Sequence, residues 1–153
     1  MNSLRLFLAA AVITLAAALA GCKSDSTTEP TPPDPTPTSI AEAEPNDATP
    51  QAVGTLRDSA IVVSGTSANG SDIDKYSFAL PAQRSFSASI SWSGGADLNL
   101  GVANGSGILM AYRDTGGNPE NCTLTAMPQG TYVLQVLQAS NQSQAYRITI
   151  TPR

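Results

Sequence analysis

Between Arg84 and Ser93 the chain alternates without a break. Phe86, Ala88, Ile90 and Trp92 fall on one side, and Ser85, Ser87, Ser89, Ser91 and Ser93 on the other. A period of two sustained this long predicts a β-strand with one buried face. The same alternation sets Tyr76, Phe78 and Leu80 against Lys75, Ser77 and Ala79, and Leu98, Leu100 and Val102 against Asp97, Asn99 and Gly101. Tyr132, Leu134 and Val136 form a further set, as do Cys122, Leu124 and Ala126, and Tyr146, Ile148 and Ile150; a weaker strand spans Ala60 to Ser64. Asn69-Gly70, Gly94-Gly95, Asn104-Gly105, Gly116-Gly117-Asn118-Pro119 and Gln129-Gly130 separate these runs. Asparagine and glycine tolerate the positive φ of tight turns. Residues 41–153 sustain no helical period, so the prediction is all-β: a single antiparallel β-sandwich, jelly-roll-like in its connections. Its length, about 113 residues, suffices for one core and not for two.

Upstream the pattern changes twice. Arg5 precedes an apolar run from Leu6 to Leu19, which closes on Leu19-Ala20-Gly21-Cys22. A run of about 14 residues is short of the roughly 20 that span a bilayer, and a basic start, apolar middle and small-residue end form the layout of a secretory signal. The closing residues resemble the bacterial lipobox, in which the cysteine thiol is diacylated and the chain is cut just before it. That resemblance implies a lipoprotein signal peptide over 1–21, a mature chain beginning at Cys22, and covalent lipid on Cys22 as a membrane anchor. Lys23 follows the cysteine where an aspartate is the inner-membrane retention signal of some Gram-negative bacteria, so the expected address is the cell envelope, with the outer membrane favoured if the cell has one.

Residues 22–40 read as the lipidated N-terminus and a Pro/Thr-rich tether. Pro30, Pro32, Pro33, Pro35 and Pro37 are interleaved with Thr31, Thr36 and Thr38. Proline fixes φ and removes a donor, which favours extended polyproline II. At about 3.1 Å per residue such a tether holds its cargo on the order of 50 Å from a bilayer.

Composition then removes whole classes of chemistry. The chain has no histidine, which excludes Ser-His-Asp and Cys-His catalysis and His-ligated zinc. Without residues 1–21, seven basic side chains face twelve acidic ones, a net of −5. There is no basic stripe, so nucleic acid is not an expected partner. Cys122 is the only other cysteine. With lipid on Cys22 no internal disulfide is possible, and the alternation marks Cys122 as a small core residue.

The sandwich begins with Glu42-Ala43-Glu44-Pro45-Asn46-Asp47. Asp72-Ile73-Asp74-Lys75-Tyr76-Ser77-Phe78 comes some 25 residues on, followed by Asp97-Leu98-Asn99-Leu100, Asn104-Gly105 and Gly130-Thr131-Tyr132-Val133-Leu134-Gln135-Val136. This order resembles the bacterial pre-peptidase C-terminal domain and the related collagen-binding modules of clostridial collagenases. The resemblance implies a β-sandwich of non-catalytic character. It carries over no protease activity, because the sequence in hand holds only signal, tether and sandwich. It also implies calcium, held by Glu42, Glu44, Asn46, Asp47 and Asp74, with Asp72 alongside. One departure is Ser71, which stands at or near the family's second loop acid. Calcium takes six to eight hard oxygen donors, and carboxylates with an asparagine carbonyl supply them. From spacing alone the other reading is of solvated acids ending a tether and decorating a polar turn.

The function expected is therefore a lipid-anchored, non-enzymatic binding or accessory domain, whose partner is an envelope protein, a matrix protein or a polysaccharide. The alternative is a structural or assembly module for a separately encoded exported peptidase or envelope complex. A carboxylate-based hydrolase using Asp97 with Asp72 or Asp74 is the weakest reading. Trp92 shares its face with Phe86 and Ile90 and is expected in the core. Tyr112, beside Arg113-Asp114 in what reads as a glycine-rich loop, is the exposed aromatic expected to touch a ligand.

Overall fold

The computed structural model describes residues 35–153; the signal segment 1–21, the lipidation site Cys22 and the tether up to residue 34 lie outside the described residues. Ten strands follow in chain order: β1 (Thr38–Ala41), β2 (Gln51–Thr55), β3 (Ile61–Ser67), β4 (Asp74–Leu80), β5 (Arg84–Trp92), β6 (Leu98–Asn104), β7 (Leu109–Arg113), β8 (Glu120–Met127), β9 (Gly130–Gln138) and β10 (Gln144–Pro152). They form two five-stranded sheets, β1-β3-β10-β5-β8 and β2-β4-β9-β6-β7. Within them, β3-β10-β5-β8 facing β4-β9-β6-β7 is the strand order of a jelly roll. All pairs among these eight strands are antiparallel. β1 and β2 each extend one sheet in parallel, on β3 and β4.

The alternating runs became strands because each buries one row of side chains between the sheets. Phe86, Ala88 and Ile90 of β5, Tyr76, Phe78 and Leu80 of β4, and Tyr146, Ile148 and Ile150 of β10 all belong to one core. Phe86 from one sheet meets Phe78 and Tyr132 from the other, with ring centroids 5.2 and 5.7 Å apart and near edge-to-face. Cys122 is a free, fully buried thiol in that core, and burial pushes its pKa up. Trp92 is half-buried against the core and donates its indole N–H to the Ala96 carbonyl at 2.7 Å.

Three strands escape the alternation. β1 has only Ile40 turned toward the core, and it begins at Thr38, inside the stretch that composition assigns to the tether. β2 is broken by a bulge at Gly54, whose φ of +105° suits glycine. β7 is bulged opposite Val102–Ala103. The register of β8 also differs from the simple pattern. Ala126 adopts φ +52° at a bulge opposite Arg84–Phe86, so it is exposed and Met127 turns inward in its place. β6 is buried on both faces from Leu98 to Ala103, so Asn99 and Gly101, expected on an open face, are covered.

Candidate metal centre

The chain segments that carry the acids meet where β4 begins. Backbone pairing continues past β1, with Glu42 N–H donating to the Ser64 carbonyl at 2.9 Å. This delivers Glu42 to the mouth of the sandwich. Its Oε2 accepts from the Thr66 N–H at 2.7 Å, and its Oε1 accepts from the Tyr146 hydroxyl at 3.0 Å, the Asn46 amide at 3.2 Å and the Tyr76 hydroxyl. Asp74 opens β4 on the same inward phase as Tyr76, Phe78 and Leu80, and is fully buried. Its Oδ2 accepts from the Tyr146 hydroxyl at 2.6 Å, while its Oδ1 is buried without a hydrogen-bond partner. The hydroxyls of Tyr76 and Tyr146 lie 2.6 Å apart.

Carboxylate oxygens of Glu42, Glu44 and Asp74 come within 4.8 Å of one another. Two like charges at about 4 Å repel by about 4 kcal/mol at an effective dielectric of 20. Burial is the main force raising the Asp74 pKa, to about 8. The Tyr146 hydrogen bond works the other way, and the charges of Glu42, Asp72 and Glu44 add to the rise. The hydroxyl geometry agrees. Two tyrosine protons cannot serve every oxygen–oxygen contact in this group, and a proton held on Asp74 supplies one more. Among the described residues no side-chain cation pairs with the cluster: the Lys75 ammonium donates to the Asp47 carbonyl, and the ion pair found there joins Arg84 to Asp58 elsewhere.

The other three acids and amides of the expected set shape the loops. Asn46 is buried, and its Oδ1 accepts from the Lys75 N–H at 3.2 Å. Asp47 Oδ1 accepts from the Ile73 N–H at 3.0 Å, and Asp72 Oδ2 from the Ala68 N–H at 2.5 Å. They pin the Glu42–Asp47 segment and the 68–74 loop to the start of β4. Ser71 is exposed, and its N–H donates to Asn69 Oδ1 within the loop at 2.9 Å. Asp97 stands apart from the cluster. The three gathered carboxylates offer only oxygen, and one oxygen is orphaned and buried. That donor set fits a hard divalent cation such as calcium.

Residues 72–138 match the family model of the bacterial pre-peptidase C-terminal domain. The matched span opens at Asp72 and contains Asp74, while Glu42–Asp47 lies upstream of it. Among solved structures, the chain is similar to the pre-peptidase C-terminal domain of a collagenase from Bacillus anthracis, at 20% identity and a TM-score of 0.55, over 66% of this chain and 93% of that one. At that identity the likeness is one of fold. Looser similarities join it to the Yersinia pseudotuberculosis-derived mitogen (11% identity, TM-score 0.48, 61% of this chain and 86% of that one). Another is to PliG of Salmonella Typhimurium, a periplasmic inhibitor of g-type lysozyme (24% identity, TM-score 0.43, 67% and 99%). No curated protein matches the chain. The pre-peptidase C-terminal type is a non-catalytic domain type.

Sequence reasoning missed the tyrosines and Gly65. A Cβ on Gly65 would lie 2.6 Å from the Tyr146 hydroxyl oxygen, 2.7 Å from its ring carbon and 2.8 Å from the Tyr76 hydroxyl. Gly65 thus lets both hydroxyls dock on β3 within reach of Glu42 and Asp74. The available signal was Asp74 sharing the inward phase of Tyr76, since a buried tyrosine hydroxyl needs a partner. Gly65→Ala is expected to displace rings locked in the core and cost about 1–3 kcal/mol. Urea unfolding measures this, and a loss within about 0.5 kcal/mol of zero, the range of an ordinary surface change, would refute the docking role.

Tyr112 is not in a glycine-rich loop. It lies on edge strand β7, 39% exposed, beside Ile108, Leu109 and Met110.

Proposed function

We propose that this chain is a lipid-anchored, non-enzymatic binding domain of the cell envelope. In this reading calcium held by Glu42, Glu44 and Asp74 fastens the segment after β1 onto the sandwich. The observation that carries it is the trio of converging carboxylates with the orphaned Asp74 oxygen and, among the described residues, no side-chain cation paired with them. Calcium supplies hard positive charge that offsets their repulsion and holds Asp74 ionised. Asn46, Asp47 and Asp72 keep the two loops in register for it.

The anchor rests on the signal-like run and Cys22, and the absence of histidine together with a non-catalytic domain type supports binding over catalysis. An envelope or matrix protein or a polysaccharide is the partner class in this reading. The resemblance to domains that accompany peptidases favours, as a second reading, an assembly module for a separately encoded exported peptidase. Pull-down from detergent-solubilised membranes separates them: one stoichiometric peptidase partner supports the second, and retention on matrix protein or glycan the first.

The calcium reading is tested by thermal or chemical unfolding of the mature protein in chelator and in calcium. At one hundred times Kd, calcium is expected to add about 2.7 kcal/mol to the unfolding free energy. Superimposable curves would overturn it.

A further inference from the structure

The large apolar side chains exposed among the described residues are Ile108, Leu109, Met110 and Tyr112, at 62, 56, 44 and 39% exposure. All four fall within five consecutive positions. β7, which carries three of them, is the last strand of its sheet and pairs only with β6. By register Leu109 stands opposite Ala103 and Tyr112 opposite Gly101, on the outer face, with Met110 at the bulge between. Small residues on β6 leave room there: Leu109 Cδ1 would lie 3.6 Å from a Cβ on Gly101.

The remaining sheet edges carry the protections by which natural proteins discourage strand addition. β1 is four residues long and exposes Thr38, Ser39 and Ala41. β2 is bent by its bulge at Gly54. β8 turns Asn121, Thr123 and Thr125 outward and has Pro119 and Pro128 at its two ends. β7 is also short and bulged at Met110, but the side chains it exposes are large and apolar where those edges expose small or polar ones, and no proline stands at either end. Arg113 closes its far end by donating to the Asn121 carbonyl of β8 at 3.0 Å, which leaves 108–112 open.

We infer that β7 is the docking edge for an extended polypeptide strand of a partner, with apolar side chains at alternate positions against Leu109 and Tyr112. The size of the patch decides the occupant. At about 200 Å² for a large side chain, the exposed fractions amount to roughly 400 Å², the size of the largest apolar patch on a typical monomer, which is often functional. A standard interface takes about 800 Å² per partner, so a second folded copy resting on this patch alone falls short. A strand of five or six residues fits: it gains main-chain hydrogen bonds along an edge of roughly 17 Å and buries alternate side chains. The inference rests on the binding reading above and names its partner class, but its test involves neither calcium nor lipid.

The test uses the ¹⁵N-labelled chain from residue 22, carrying Cys22→Ser so that it is made without lipid. The probe is the peptide acetyl-Thr-Val-Thr-Val-Thr-Val-amide, and its analogue N-methylated at alternate residues is the control. The expected result is amide shifts concentrated at 108–112 and on β6, weakened tenfold or more by N-methylation. Met110→Lys, and separately Leu109→Lys, should weaken them as much while leaving the melting temperature unchanged. Absence of shifts at 108–112 up to about 1 mM peptide, a binding free energy near −4 kcal/mol, would overturn the proposal. Equal binding of the N-methylated peptide would overturn it too. A dimer of the chain that light scattering detects and Leu109→Lys abolishes would name a second copy as the occupant and overturn it as well.

Discussion

In calcium-free buffer at pH 8, Asp74→Asn is expected to melt above the wild type; near pH 4 the two should coincide, and the variant should ignore calcium. The reasoning starts from the folded-state pKa of Asp74, raised from 3.8 to about 8 chiefly by burial. Between these values the folded chain holds a proton that the unfolded chain has released. Stability is therefore fully present below the ordinary carboxyl pKa, and declines as pH rises toward about 8. Asparagine keeps the size of the side chain and an oxygen to accept the Tyr146 hydroxyl. It also puts an amide donor beside Glu42 and Glu44, and it cannot ionise. The decline should flatten. Calcium has the opposite pH dependence in the wild type, because binding to ionised Asp74 releases the proton, so its stabilising effect should grow from pH 5 to pH 8. Calorimetry across that range, with chelator and with calcium, reads both slopes. An Asp74→Asn variant that still gains stability from calcium would remove Asp74 from the site. A chelated wild type whose stability rises from pH 5 to pH 8 would contradict the buried proton.

Phe86→Ala is expected to cost about 3–5 kcal/mol, the range for a large aromatic removed from a close-packed interior. Phe86 is fully buried and is the aromatic ring that β5 contributes against Phe78 and Tyr132 of the opposite sheet. Edge-to-face pairs add about 0.5–1.5 kcal/mol beyond area, and the surrounding strands cannot collapse into the gap without breaking their ladders. Small domains have about 5–15 kcal/mol of stability in all, so the variant should be marginal at physiological temperature. Phe86→Leu, which keeps most of the volume, should lose far less. Urea midpoints of the three proteins measure the order, and an alanine cost under about 2 kcal/mol, the lower limit of large-to-small core substitutions, would show that the sheets are not held together there.

The six strands β4 to β6 and β8 to β10 were legible because each runs long enough for alternation to declare its buried face, and β3 was legible only as a weaker apolar run, Ile61 to Val63 being buried in succession. Serines mark one side of β5 and Phe86, Ala88 and Ile90 the other, and the turns between strands fall at the glycines and asparagines that allow them. β1, β2 and β7 were not legible. With four or five residues and a single inward side chain or a bulge, they carry no period, and their place depends on the neighbouring strand that offers hydrogen bonds.

The candidate metal centre divides the same way. Acidic residues at 42–47 and 72–74 could be picked out along the chain, and Asp74 already stood on the inward phase of its strand. That Glu42, Glu44 and Asp74 converge, while Asn46, Asp47 and Asp72 each give an oxygen to backbone N–H groups, follows from β1 lying beside β3 and the 68–74 loop folding under it. Gly65 enters the site from β3 and Tyr146 from β10, the latter 72 residues from Asp74. Local alternation is a property of neighbours along the chain, and residue order is enough to reveal it. Proximity across sheets, the burial of a carboxyl group and the apolar exposure of the β7 edge are properties of neighbours in space, which exist only once the strands have paired.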